Sequence, residues 1–287
     1  MTGGTSGDGL VSSRMVVDDN PRDPAQLPDF EDPPVVEVAL GVQFRPIPGL
    51  RPVEIAGLRE QWRAEYPVVL DQPPLAPAIE QATSGAHTTQ LVFGPALQTR
   101  LWFLSEDQSS LVQVQHDRLT VNWRKLDGVP YPRYPAVREK FGRSFSDVQE
   151  FVTDRDLGPL DITQVEANYI NRIDTDDEGR GHLEGILRHW SSLAGHHLGD
   201  PEEARVAMVF SVPAVGTPPV RLYVECAPAQ QVGQAPVLLL TLTVRGAPLT
   251  SDVASALQFM DDAHAHIVHS FAELTTDAMH EHWRRSR

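Results

Sequence analysis

The sequence predicts an α+β fold in which a strand, helix, strands, helix unit occurs twice, with antiparallel sheets and the helices on one face. Three observations predict it: an alternating strand beginning near residue 35, another near residue 162, and amphipathic helices whose local sequences recur at one offset. Val36, Val38, Leu40, Val42 and Phe44 alternate with Glu37, Ala39, Gly41 and Gln43, the period of two that gives a strand one buried face. Pro46, Pro48 and Gly49 end this strand. A helix opens at Pro52, with Ile55, Leu58 and Trp62 on one side and Glu54, Arg59, Glu60 and Arg63 on the other.

Beyond the Pro-rich loop from Pro73 to Pro77, short strands are expected at Gln90 to Phe93, Arg100 to Leu104, Leu111 to Gln115 and Leu119 to Trp123. A helix then runs from Tyr134 to about Thr153 and aligns Val137, Phe141, Phe145 and Val148. From Ile162 the order begins again, with a strand through Val165, Ala167, Tyr169, Asn171 and Ile173 and a helix through Leu183, Ile186, Leu187 and Trp190. Strands at Arg205 to Val212, Val220 to Ala227 and Pro236 to Val244 follow, and one long helix from about Ser251 to Arg285 closes the chain.

Two local similarities agree on one register. Phe141-Gly-Arg-Ser-Phe145-Ser-Asp147 matches Ile267-Val-His-Ser-Phe271-Ala-Glu273, and Leu58-Arg-Glu-Gln-Trp62 matches Ile186-Leu-Arg-His-Trp190, both about 126 to 128 residues apart. The expected organisation is a disordered acidic tail over 1–33, a first repeat over 34–158 and a second over 159–287. Two such units pairing their sheets about a pseudo-twofold axis resemble the saddle of the TATA-box-binding-protein-like fold. The alternative is a helix-grip fold, a curved sheet wrapped around the last helix.

With 41% hydrophobic residues, 287 residues can bury a sizeable core. The longest apolar run is too short for a membrane span and no signal sequence is seen, so a cytoplasmic location without membrane contact is expected. A formal charge of −15 opposes nonspecific affinity for nucleic acid, because cations must displace the counterions condensed on phosphates. Cys226 is the only cysteine, so no internal disulfide forms, and its setting suggests a buried strand residue.

Pro33-Pro-Val-Val-Glu-Val-Ala-Leu-Gly-Val-Gln-Phe44, Leu111-Val-Gln-Val-Gln-His-Asp-Arg-Leu-Thr-Val-Asn-Trp-Arg-Lys125, Tyr131-Pro-Arg-Tyr-Pro135 and the Phe271 to Trp283 helix carry a resemblance. Together they resemble a sporadically distributed prokaryotic family of uncharacterised conserved hypothetical proteins. The resemblance covers nearly everything after residue 33 and implies a bacterial intracellular protein, with no activity or site residues attached.

The polar content of half-buried strands supplies the candidate binding residues. Alternation sends Gln113, Gln115, Asn122, Arg124, Glu166, Asn168 and Arg172 outward, with Glu37, Gln43 and Arg45 in the same position on the first strand. Val112, Val114, Val121, Trp123, Val165 and Ala167 are left to fill the core. Amide, guanidinium and carboxylate groups on one face make a hydrogen-bonding platform. No metal site and no cofactor are expected: only His266 and His269 of the last helix's histidines share a face, and the calcium-like turn Asp174 to Gly179 lacks its twelfth-position ligand. Ser144 and Ser270 sit in no nucleophile elbow, and Gly179-Arg-Gly181 is no phosphate loop.

The first functional reading is a non-catalytic binding or regulatory module acting through protein partners, of the kind found in bacterial accessory or defence-type systems. The second is a small-molecule-binding protein or enzyme of helix-grip type, with Leu257, Met260, Ile267 and Phe271 closing a cavity. The third is nucleic-acid binding through Arg100, Arg118, Arg124, Lys125, Arg133 and Arg172, with Trp102 and Trp123 as stacking groups. Whether the chain is an enzyme is left open by its motifs.

Overall fold

The first alternating stretch forms β1 (Val35–Phe44) and the second forms β6 (Ile162–Asp174), and the two pair with each other antiparallel. The computed structural model describes residues 27–78, 80, 99–174, 183–191, 197, 203–212, 215–230 and 235–287. Between β1 and β6 come a helical stretch in three short pieces, strands β2 (Val68–Gln72), β3 (Arg100–Leu104), β4 (Ser110–Gln115) and β5 (Arg118–Arg124), and a long helix. The short pieces are α1 (Pro52–Ile55), a 3-10 turn (Ala56–Leu58) and α2 (Arg59–Trp62), and the long helix is α3 (Arg133–Asp154). After β6 come α4 (Leu183–Ile186), β7 (Val206–Ser211), β8 (Thr217–Ala229), β9 (Val237–Ala247), α5 (Val253–Leu274) and α6 (Asp277–His282).

The nine strands of the described residues lie in one antiparallel sheet ordered β2-β3-β4-β5-β1-β6-β9-β8-β7. Helix α3 packs on β5 and β1, α5 packs on β6 and β9, and the two helices touch each other. The period of two therefore separates two chemistries. Val38, Leu40 and Val42 are essentially fully buried, as are their cross-strand partners Trp123, Val121, Leu119, Ala167 and Val165, while Glu37, Ala39, Gly41 and Gln43 face the other side. Phe141 and Phe145 of α3 and Ile267 and Phe271 of α5 are buried against this apolar layer. Cys226 is fully buried on β8, and burial pushes its thiol up to about 11.

Several expectations are corrected. The long closing helix is two helices, because Thr275 and Thr276 are extended. Thr275 bridges to Leu187, the Thr276 amide donates to Ile186, and the Thr276 hydroxyl donates to the Gly185 carbonyl and caps α6 by accepting from Met279. The helix expected to reach Trp190 stops at Ile186, and Trp190 is exposed, whereas its counterpart Trp62 is buried and donates to Asp147 at 2.7 Å. The tail expected over 1–33 is packed in its described part, 27–33: Phe30 is buried edge-on against Phe271 and Trp283, and Glu31 and Asp32 donate backbone bonds to Arg284 and Trp283. Strand β2 was not anticipated, and the strand expected at 90–93 lies outside the described residues, as does the calcium-like turn beyond Asp174.

Candidate functional site

Cross-strand register assembles the polar face. Glu37 of β1 sits opposite Arg124 of β5, Gln43 sits between Arg118 of β5 and Gln164 of β6, and Trp102 of β3 sits opposite Gln113 of β4. Side chains then link across four strands. Gln113 Oε1 accepts from Arg100 at 2.6 Å and from the Trp102 indole at 2.9 Å, its Nε2 donates to Asn122 Oδ1 at 2.6 Å, and Asn122 Nδ2 donates to Glu37 at 2.6 Å. Burial pushes the Glu37 carboxyl up, and the Asn122 hydrogen bond and the Arg124 charge act against that shift.

Of the seven anticipated residues, only Gln113 and Asn122 are joined directly. Arg124 lies over the Trp102 ring and donates to the Gln108 carbonyl, and Glu166 accepts from Arg245 at 2.5 Å. Asn168 is partly buried, and its Oδ1 has no hydrogen-bond partner among the described residues. Arg172 stands apart, exposed and paired with Asp174 at 3.0 Å.

The outward direction holds, but exposure does not: Gln113, Gln115 and Asn122 are only 8%, 2% and 4% exposed. Their burial changes what substitution should do. Asn122→Ala leaves Glu37 and Gln113 with unmet hydrogen bonds and should cost about 1–3 kcal/mol, whereas Arg172→Ala should cost under about 1 kcal/mol. Denaturant melts of the two variants check this, and equal losses would contradict it.

What covers Gln115 is the Pro-rich loop, which the sequence pattern marked only as a connection. Residues 73–78 and 80 run across the polar face without joining any strand. Gln115 accepts from the Leu75 amide at 2.9 Å and donates to the Leu75 carbonyl at 3.0 Å, and Gln43 does the same to Ala78 at 3.0 and 2.7 Å. Gln164 donates to the Ala78 carbonyl at 2.5 Å and accepts from the Glu80 amide at 3.3 Å, while Arg118 donates to the Ala76 carbonyl at 3.0 Å. The Glu80 carboxylate receives Arg221 at 2.5 Å and the Tyr223 hydroxyl at 2.8 Å, with Arg245 at 3.6 Å. A cavity of about 160 Å³ lies between Leu75 and the sheet, with Gly41 and Asn168 in its lining.

A second concavity, of about 730 Å³, lies on the helical side between α3, α5 and the 27–35 segment. Tyr134 stacks on His264 with ring centroids 4.0 Å apart, and the Tyr169 hydroxyl lies 2.8 Å from His264 Nδ1, a bond a neutral ring makes in either tautomer. Burial brings His264 down to about 4, with Asp261 acting in the opposite direction. Asp261 accepts from the Tyr134 hydroxyl at 2.7 Å and from Arg138 at 2.5 and 2.8 Å. Of the four residues expected to close a helix-grip cavity, Ile267 and Phe271 line this one, while Leu257 and Met260 do not. The tyrosines and His264 are far apart in sequence, so no local pattern marks the cluster.

Among the described residues no group of three or more His, Cys, Asp or Glu side chains is placed to hold a metal ion, and no helix is long and apolar enough to cross a membrane. Trp123 lies on the apolar face and Trp102 on the polar one, so the two cannot stack bases on one surface. No protein-family model, curated protein or solved structure matches the chain.

Proposed function

We propose that this chain is a non-catalytic binding module whose polar sheet face holds an extended segment of a protein partner. The observation that carries the reading is the bidentate hold of Gln115 and Gln43 on the main chain of Leu75 and Ala78. An amide side chain that donates to a carbonyl and accepts from the N–H of one residue recognises any extended backbone, whatever its side chains. Gln115 is among the binding residues expected from the sequence, and Gln43 shares their face. Arg124, Glu166 and Asn168 supply the surrounding hydrogen-bonding surface in this reading, above the buried Gln113–Asn122 link and with Arg172 at its margin.

The proposed architecture is an internal duplication in the manner of the TATA-box-binding-protein-like saddle. Its support is the strand order: β5, β4 and β3 lie outward from β1 as β9, β8 and β7 lie outward from β6, and in each half a 22-residue helix follows the strands. Membership of the sporadic prokaryotic family that its motifs resemble is proposed on those motifs alone.

Affinity purification from the source cells with the native chain and with a Gln43→Ala, Gln115→Ala double variant tests the function. A stoichiometric polypeptide recovered with the native chain and lost with the variant is expected. Recovery of no partner, or equal recovery with both, would contradict it.

The cavity of about 730 Å³ favours a second reading, a small-molecule site, since its size suits an organic ligand and the Tyr134–His264 stack offers an aromatic wall. Native mass spectrometry of the gently purified chain tests it, and a bound mass lost with Tyr134→Ala is the expected result. A spectrum showing only the bare chain would count against it.

A further inference from the structure

The contacts of residues 75, 76, 78 and 80 fall on consecutive strands, in order across the sheet. Gln115 is on β4, Arg118 on β5, Gln43 on β1, Gln164 on β6, Arg245 on β9, and Arg221 and Tyr223 on β8. Five inter-strand steps of about 4.8 Å span roughly 24 Å, whereas five residues of extended chain reach only about 17 Å. The Glu80 carboxylate and the side chains that reach up from the sheet close the remaining distance. Pro73, Pro74 and Pro77 favour this extended form and lower the entropy lost in holding it.

Recognition along the row is of two kinds. The three glutamines read main chain and tolerate any sequence. The Arg221, Tyr223 and Arg245 cluster instead reads a carboxylate, and Glu80 is its occupant. Arg245 is also bound to Glu166, so Arg221 and Tyr223 supply the closest contacts to Glu80. In a chain of net charge −15 this is a built cationic pocket on an otherwise acidic molecule.

Residues 73–78 and 80 add no backbone ladder to the sheet, Leu75 is 38% exposed, and Ala76 and Pro77 are exposed. The resident segment is held by side-chain hydrogen bonds and by the ion pairs of Glu80, contacts that another segment can reproduce. Its advantage is tethering, which gives it an effective concentration in the millimolar range.

Resting on the peptide-binding reading above, we propose that the glutamine row and the Arg221–Tyr223–Arg245 pocket recognise an extended partner segment bearing an acidic side chain, and that residues 73–80 act as a tethered competitor. The partner's carboxylate takes the place of Glu80, and its backbone takes the place of Leu75 and Ala78. Affinity is reduced by the fraction of molecules in which the chain's own segment is in place.

The probe is a fluorescent peptide with the sequence of residues 73–80, Pro-Pro-Leu-Ala-Pro-Ala-Ile-Glu, titrated by anisotropy against full-length chains. Glu80→Ala protein should bind it at least tenfold more tightly than native protein. A peptide carrying Glu80→Ala should lose tenfold or more, and Arg221→Ala added to the Glu80→Ala protein should abolish binding. Glu80→Gln protein provides a second opened form, and circular dichroism establishes that each variant is folded.

Absence of peptide binding to both folded Glu80 variants overturns the inference, as does equal binding of the two peptides. If the peptide fails while a partner is still captured through Gln43 and Gln115, the inference falls and the peptide-binding reading stands. If capture also fails, both fall.

Discussion

Replacing Trp123 with alanine is expected to destabilise the chain by about 3–5 kcal/mol, the range for removing a buried large aromatic ring. Trp123 is 4% exposed, stands opposite Val38 in the middle of the sheet, and packs against Tyr131 with ring centroids 4.8 Å apart. Neighbours on a sheet cannot collapse freely into the vacated volume, because their backbones are held by two ladders. One feature moderates the loss: the Trp123 indole nitrogen is buried without a hydrogen-bond partner among the described residues. Trp123→Phe removes that nitrogen and keeps most of the ring, so it should cost clearly less than the alanine change. Urea unfolding of both variants checks the order, and a loss under about 1 kcal/mol for Trp123→Ala would place the ring outside the core.

The second large effect is a dependence on pH centred on His264. Its folded value of about 4 lies below the ordinary histidine value near 6.5, so the unfolded chain binds the extra proton first as pH falls. The stabilisation is complete above about pH 6.5 and is lost progressively down to about pH 4, where the folded ring also protonates. Two and a half pH units at about 1.4 kcal/mol each set an upper bound of roughly 3.5 kcal/mol, of which about 3 kcal/mol is lost by pH 4. Stability of native and His264→Phe chains, measured by denaturant unfolding from pH 7 to pH 4, isolates this contribution. The phenyl ring keeps the Tyr134 stack and does not titrate, and other groups such as Glu37 cancel in the difference. The native chain should lose up to about 3 kcal/mol more than the variant across that window, and parallel curves would contradict the assignment.

What could be read in the sequence was whatever repeats locally. The alternation of β1 and β6 and the apolar stripes of α3 and α5 each follow from one segment meeting one flat core, and the register then places Gln113 and Asn122 on a common face. Strand β2 escaped because it is an edge strand whose Val68 and Leu70 are exposed, which leaves no alternation to find. The break at Thr275 carried a signal that was passed over: a threonine followed by Asp277 is a helix N-terminus pattern, and Thr276 caps α6 through its hydroxyl.

The covering of the polar face was illegible for a different reason. Residues 75, 76 and 78 are held through main-chain atoms, so their own side chains need no periodicity, and their partners come from strands brought together only by the fold. The Tyr134, Tyr169 and His264 cluster is non-local in the same sense. Alternation could tell which way Gln115 points; it could not tell that a loop would lie over it.

Amide hydrogen exchange at Leu75 and Ala78 tests most directly whether the polar face holds an extended main chain. Neither residue lies in a strand or helix, Leu75 is exposed, and among the described residues the acceptors of the two amides are Gln115 and Gln43, so slow exchange there reports on those glutamines. By NMR, both amides should exchange well below the free-chain rate in the native protein. Gln115→Ala should release Leu75, and Gln43→Ala should release Ala78, while β1 and β6 amides stay protected. Free-chain exchange at both positions in the native protein would contradict the account.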